Sequence, residues 1–226
     1  MASKMETLWR QAAKTFSTRW SHGWGFSAKN FEELQSAINE IRAEDVGIDD
    51  VKLLHVRLGI APIFNMDIYH DPDFTLSVFL LKEGSTMPLH DHPQMHGLLK
   101  VICGTVSVKT YSLEDTRRHD NFHLGDYVQA TIHEPVICDQ DSNAMVLTPT
   151  DKNLHEITCL QGPAAFLDVL SPPYDSNEYY VGERPCTFFQ PIEGVSSNRV
   201  KLRIIKAPHD YYTKQMEYSG VPLGYS

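Results

Sequence analysis

Two histidines separated by a single residue, His90 and His92, carry the first chemical signal in this chain. In an extended strand successive side chains alternate between faces, so both imidazoles point the same way and enter one cavity. Neutral imidazole nitrogens are ligands for a transition metal. Two of them alone hold a catalytic ion poorly, so a third donor is required, and two histidines are placed to supply it. His155, in the segment PTDKNLHEITCL, follows a polar turn and opens an apolar run about sixty residues further on. His96 lies four residues after His92 and shares its face if the strand continues regularly, whereas an intervening loop would break that parity. The other histidines considered, His22, His55, His70, His119, His123, His133 and His209, stand near turns or in polar surroundings and read as bland.

The elements that must hold these groups follow from periodicity. Met5, Leu8, Trp9, Ala12, Ala13, Phe16 and Trp20 recur at helical spacing, which predicts a first helix docked on a core. In SAKNFEELQSAINEI, Asn30 is placed as N-cap with Glu33 three residues on, and Phe31, Leu34, Ile38 and Ile41 form one stripe of a second helix. From about Leu53 the pattern changes to short runs rich in Val, Ile, Phe and Tyr, broken by Gly, Pro, Asp and Asn. That pattern predicts a barrel or sandwich of strands at 53–58, 63–69, 74–82, 97–103, 105–111, 127–132, 144–149, 155–160, 164–170 and 200–206. Gly84, Pro88 and Gly104 mark turns around the HxH pair. The polar segment 115–123 reads as an exposed loop. The whole chain, 1–226, reads as a single domain, with a helical region over 1–50 and the barrel over about 51–226.

Composition narrows the partners. Acidic residues exceed basic ones, 29 to 20, for a net charge of −9, and no basic run interleaves with aromatics, so a nucleic-acid partner is not expected. No apolar run approaches the roughly 18 residues of a membrane span, so no membrane partner is expected either. The four cysteines, Cys103, Cys138, Cys159 and Cys186, form no CxxC pair, and no glycosylation acceptor occurs, which points to free thiols in a reducing compartment. A cytoplasmic, monomeric protein is the expectation, with the nucleus as a further compartment. Lys4, Arg10, Lys14 and Arg19 against Glu6 also suit a mitochondrial transit peptide, but the helical spacing of that segment favours a docked helix.

The spacing from Gly84 through His90 and His92 to Gly104 resembles the first motif of the cupin barrels, except that Gly97 stands where that motif usually carries glutamate. Beyond this, PLHDHPQMHGLLKVICGTV, LTPTDKNLHEI and above all GPAAFLDVLSPPYD at 162–175 resemble the thiol dioxygenases of the cysteamine dioxygenase and plant cysteine oxidase family. The resemblance runs from the first helix to the YSGVP tail. It implies an all-β cupin (double-stranded β-helix) barrel with the N-terminal helices outside, and one Fe(II) per chain held by His90, His92 and His155. It also implies that Asp168 and Tyr174 lie in or beside the pocket and assist substrate or oxygen. Some animal members carry a cysteine shortly before a Tyr-Tyr pair that cross-links to tyrosine; Asn177 and Glu178 precede Tyr179 and Tyr180 here, so no such cross-link is expected.

Three neutral imidazoles leave the charge of a dipositive ion uncompensated, which favours an anionic ligand such as a thiolate. The activity implied is conversion of the thiol of cysteamine, of a peptide N-terminal cysteine, or of both, to a sulfinic acid with dioxygen. An oxygen-sensing role in N-terminal degradation comes with the resemblance. The alternatives are a cupin using another metal and a non-catalytic cupin that binds a small ligand. Asp168 in FLDVL would otherwise bond a backbone N–H or a tyrosine, and Tyr174 in SPPY would otherwise cap the barrel mouth. Cys103 and Cys159 read as buried filler.

Overall fold

The computed structural model describes residues 2–16, 27–115, 122–174, 185–196 and 198–224, with the backbone alone for 193–196. Trp20, His22, His119 and the Asn177 to Tyr180 segment lie outside the described residues. Helix α1 (Lys4–Phe16) buries Met5, Leu8, Ala12 and Phe16, the stripe its sequence predicts. Helix α2 (Ala28–Asn39) starts earlier than expected, because Ser27 rather than Asn30 is the N-cap and its Oγ accepts from the Asn30 N–H. Glu33 closes no capping box and instead pairs with Lys14 of α1 at 2.9 Å.

Residues 53–58, expected to be the first strand, belong to helix α3 (Asp50–Leu58), so the helical region extends past residue 50. The Asp49 carboxylate accepts from the Lys52 N–H at 2.8 Å and starts the helix, and Gly59 ends it. Capping thus overrides the strand-like composition of VKLLHVRL.

The strands are β1 (Ile63–His70), β2 (Thr75–Leu81), β3 (Thr86–Asp91), β4 (His96–Leu113), β5 (Tyr127–Ile132), β6 (Val136–Asp139), β7 (Met145–Leu147), β8 (Leu154–Ser171), β9 (Phe188–Ser196), β10 (Arg199–Ile205) and β11 (Thr213–Gln215). Four expected strands merge into two. Segments 97–103 and 105–111 are one strand, β4, carried through a bulge at Gly104, where φ is 68° and a Cβ would sit 2.7 Å from the Ala164 backbone. Segments 155–160 and 164–170 are likewise one strand, β8. Strands β3, β6, β9 and β11 are absent from the expected ranges, although β3 carries the extended HxH segment. β6 and β11 are short and β9 contains Pro191 and Gly194; pairing with β8, β4, β10 and β1 defines the four.

The sheet runs β11-β1-β2-β8-β3-β9-β10-β5-β4-β6, and β4 also pairs with β8, so the ring β8-β3-β9-β10-β5-β4 closes on itself. This is the all-β cupin barrel expected, with helices outside. The side chains of β2 and β8 split by parity. Leu76, Val78, Leu80, Leu167 and Val169 pack outward beneath α1 and α2, while Leu81 and Phe166 face the inner cluster. The residues between, Ser77, Phe79 and Asp168, therefore face the interior.

Candidate metal centre

Strand β3 delivers His90 at its end and His92 immediately after it, and their ring centroids lie 5.0 Å apart. His155 is the second residue of β8, and the β3–β8 register sets its Cα directly opposite that of His90. Residues facing each other across antiparallel strands share a face. One further bond locks the register, from the His92 N–H to the Asn153 carbonyl at 2.8 Å, two residues before His155. The potential ligand atoms of the three histidines lie within 4.8 Å of one another, and the side chains are 7, 1 and 3 % exposed in chain order. Among the described residues this is the histidine, cysteine and carboxylate cluster suited to a metal.

The hydrogen bonds fix which nitrogens face inward. His90 Nδ1 lies 2.8 Å from the Pro88 carbonyl, which can only accept, so Nδ1 carries the proton. The Tyr174 hydroxyl donates to the Asp91 carbonyl and lies 2.9 Å from His92 Nδ1, which makes the hydroxyl oxygen the acceptor of that ring's N–H. Both Nε2 lone pairs are then directed into the site, where His92 Nε2 approaches His155 Nε2 at 3.0 Å. Either His155 Nε2 carries a proton shared with His92 Nε2, or both nitrogens turn lone pairs toward one ion; in the second state the three buried rings form a donor set that fits a metal ion. Burial holds His90 below the ordinary imidazole pKa and holds His92 and His155 well below it, which keeps the rings neutral and ready to ligate.

Asp168 lies on the inward face of β8, paired with Ser77 of β2 and Leu99 of β4. It is 5 % exposed, its Oδ1 has no hydrogen-bond partner among the described residues, and burial raises its pKa to about 7. A buried carboxylate without a donor is costly, and an incoming cation or donor would relieve that cost. Asp168 and Tyr174 both line a cavity of about 240 Å³ together with His90 and His92. Its apolar wall is Phe79, Met87 and Leu170.

His96 is not part of this cluster. The turn from His92 to Met95, with Gln94 at a φ of 57°, breaks strand parity, and the His96 ring packs edge-on against Phe31 of α2. His70, read as bland, does line the cavity, as do Cys186 and Tyr211. No local motif marks these three, since they approach from β1 and from segments more than ninety residues beyond the HxH pair. His133 has the polar surroundings expected, facing Ser112 Oγ at 2.8 Å, whereas His55 lies within α3 and packs edge-on against Phe64. Cys103 is only partly covered, whereas Cys159 is buried, and burial pushes both thiols up.

Gly97 has a packing explanation. A Cβ there would lie 2.8 Å from Leu147 Cγ and from Leu170 Cδ2, so its side-chain space is already filled by two leucines. A glutamate has no room at this position in the present packing.

The sequence profile of the PCO_ADO family matches residues 37–223. A 2-aminoethanethiol dioxygenase of Mus musculus is 38% identical over 215 residues, covering 86% of this chain and 82% of that protein. The Homo sapiens protein of the same name is 32% identical, covering 94% of this chain and 89% of its own length. Plant cysteine oxidase 1 of Arabidopsis thaliana is 28% identical, covering 76% of this chain and 59% of that protein.

Proposed function

Because the chain belongs to the PCO_ADO family of thiol dioxygenases, we propose that it binds one Fe(II) through His90, His92 and His155 and oxidises the thiol of cysteamine, of a peptide N-terminal cysteine, or of both. The observation that carries this reading is the buried set of three neutral imidazoles with no carboxylate among its ligand atoms. The overall change is addition of both atoms of one dioxygen to sulfur, RSH + O2 giving RSO2H, and it needs no external reductant. Bound Fe(II) would supply the Lewis acidity that favours a thiolate and the electrons that activate dioxygen.

The chain's own residues do the rest. Asp168 offers a carboxylate with an open oxygen to a substrate ammonium, and a positive partner favours its charged form. Phe79, Met87 and Leu170 keep water from the reacting sulfur. Tyr174 holds the His92 ring through Nδ1 and keeps Nε2 directed inward. We place the enzyme as a single unit, a monomer of the cytoplasm or nucleus; among the described residues no helix is long and apolar enough to cross a membrane. An oxygen-sensing role would follow from action on protein N-termini.

The test is mass spectrometry of cysteamine and of a Cys-initiated peptide after incubation with iron-loaded protein in air. A gain of about 32 Da, two oxygen atoms, is expected on the thiol. No mass gain on either substrate, with iron bound stoichiometrically, would reject the reading.

A further inference from the structure

The cavity at the histidines is small, about 240 Å³, and Tyr211, one of its lining residues, also lines a second, larger space. That second space is an open groove of about 890 Å³ along the outer side of β3, β8 and β9. The link between them is a row of rings. Phe188 lies 6.3 Å from His90 and the Tyr211 ring lies 5.5 Å from Phe188, centroid to centroid. The groove is built by Pro88, Pro191 and Pro208 with the aromatic residues Phe189, Tyr211 and Tyr212. The three prolines present no backbone N–H to the groove and the rings supply flat apolar contact, a surface along which an extended peptide can lie. The rim is held in place: the Tyr211 N–H bonds the Pro208 carbonyl at 3.0 Å, and the Tyr212 hydroxyl donates to the Ile60 carbonyl at 3.1 Å.

The charges in the groove have one sign. Glu156 and exposed Asp210 line it, and no lysine or arginine is among its described lining residues. Glu156 is already engaged by Lys109 at 2.8 Å, so Asp210 is the carboxylate most open to a ligand. A cysteine residue whose sulfur and amine are held at the histidines and Asp168 lies within this cavity, and a path into the groove for the chain that follows it runs past a shared lining residue. Tyr211 is the wall that the cavity and the groove share.

We propose that this groove is the binding site for the residues following an N-terminal cysteine, that it favours a peptide with basic side chains there, and that Tyr211 and Asp210 determine this preference. The assignment rests on the thiol dioxygenase reading and gives a Cys-initiated peptide contacts that cysteamine lacks. Cysteamine ends at its amine and reaches nothing in the groove. A longer peptide gains the ring contacts and the Asp210 carboxylate.

Binding is measured without turnover on the full chain, using fluorescein-labelled decapeptides in which serine replaces the N-terminal cysteine, with three lysines or three glutamates at positions three to five, and a labelled dipeptide. Fluorescence anisotropy is expected to give a Kd for the lysine peptide about tenfold below that of the dipeptide and about threefold below that of the glutamate peptide, the size of a few exposed contacts. Asp210→Lys, a change at an exposed position, is expected to reverse the charge preference, and Tyr211→Ala to remove the gain from length. Circular dichroism checks that both variants fold; if Tyr211→Ala does not, Tyr212→Ala, at an exposed ring of the same groove, and the charge reversal decide. Equal affinity for all three peptides, or a charge preference untouched by Asp210→Lys, overturns the groove assignment. In parallel, iron-loaded parent protein is offered cysteamine and the Cys-initiated dipeptide. Oxidation of these together with length-independent binding rejects the groove alone, whereas oxidation of neither rejects the thiol dioxygenase reading and the groove's role with it.

Discussion

His155→Ala is the most direct probe at the scale of single residues, since it removes one of three inward-facing nitrogens and leaves the barrel core alone. Metal binding to the native state raises stability in proportion to the logarithm of metal concentration over Kd. Adding Fe(II) anaerobically should therefore raise the parent's Tm and leave His155→Ala nearly unmoved; an unchanged metal-dependent rise would show that the third ligand lies elsewhere. Tyr174→Phe keeps the ring and removes the oxygen that accepts from His92 Nδ1. Loss of such an outer partner costs about 10 to 100-fold in metal affinity or activity, so chelator competition should show faster iron loss from this variant. Asp168 carries a pH prediction. Its pKa is raised by burial to about 7 in the folded metal-free chain, above its unfolded value, so its contribution to stability is full at low pH and lost as pH rises through about 7. Asp168→Asn should therefore gain Tm relative to the parent between pH 5 and pH 8, and a constant difference across that range would mean that Asp168 is not held neutral by burial.

Among the elements, two pairings of β8 decide the site: β3 sets His90 opposite His155, and β2 sets Ser77 opposite Asp168 on the inner face. Gly97 belongs to this scale. It sits where β4 is flanked by β7 and β8, and the two leucines opposite it fill the volume of any side chain. Gly97→Ala should cost about 1 to 3 kcal/mol through overpacking, read by urea unfolding, even though alanine brings no charge near the histidines. A neutral effect would mean that the leucines repack freely and would return the missing carboxylate to a purely chemical explanation. At α3 the Asp49 cap explains why a Val- and Leu-rich run is a helix; the physical competition there is local, and a helix start is decided by one side-chain oxygen.

For the molecule as a whole, the histidine site and the helical layer lie on opposite sides of the sheet formed by β1, β2, β4 and β8. Leu8 of α1 is fully buried in the outer cluster and is not among the residues that line the cavity. Leu8→Ala should lower stability by about 2 to 5 kcal/mol in denaturant unfolding while the folded protein keeps its metal stoichiometry. Loss of metal in step with stability would instead tie the helical layer to the site.

The HxH pair, the stripes of α1 and α2 and most strands of the barrel were legible because each depends on periodicity within a few neighbouring residues. The family resemblance firmed His155 as the third donor over His96 and added Asp168 and Tyr174 to that local reading. The sequence by itself thus determined the donor types, the barrel class and the net acidic surface. Tertiary structure alone decided that His96 turns away toward Phe31, that His70, Cys186 and Tyr211 close the cavity, and that Gly97 is a matter of volume. Each of these depends on strand pairing between segments far apart in sequence, where a shift of one residue exchanges the two faces of a strand, and no local pattern encodes which partner a strand will meet.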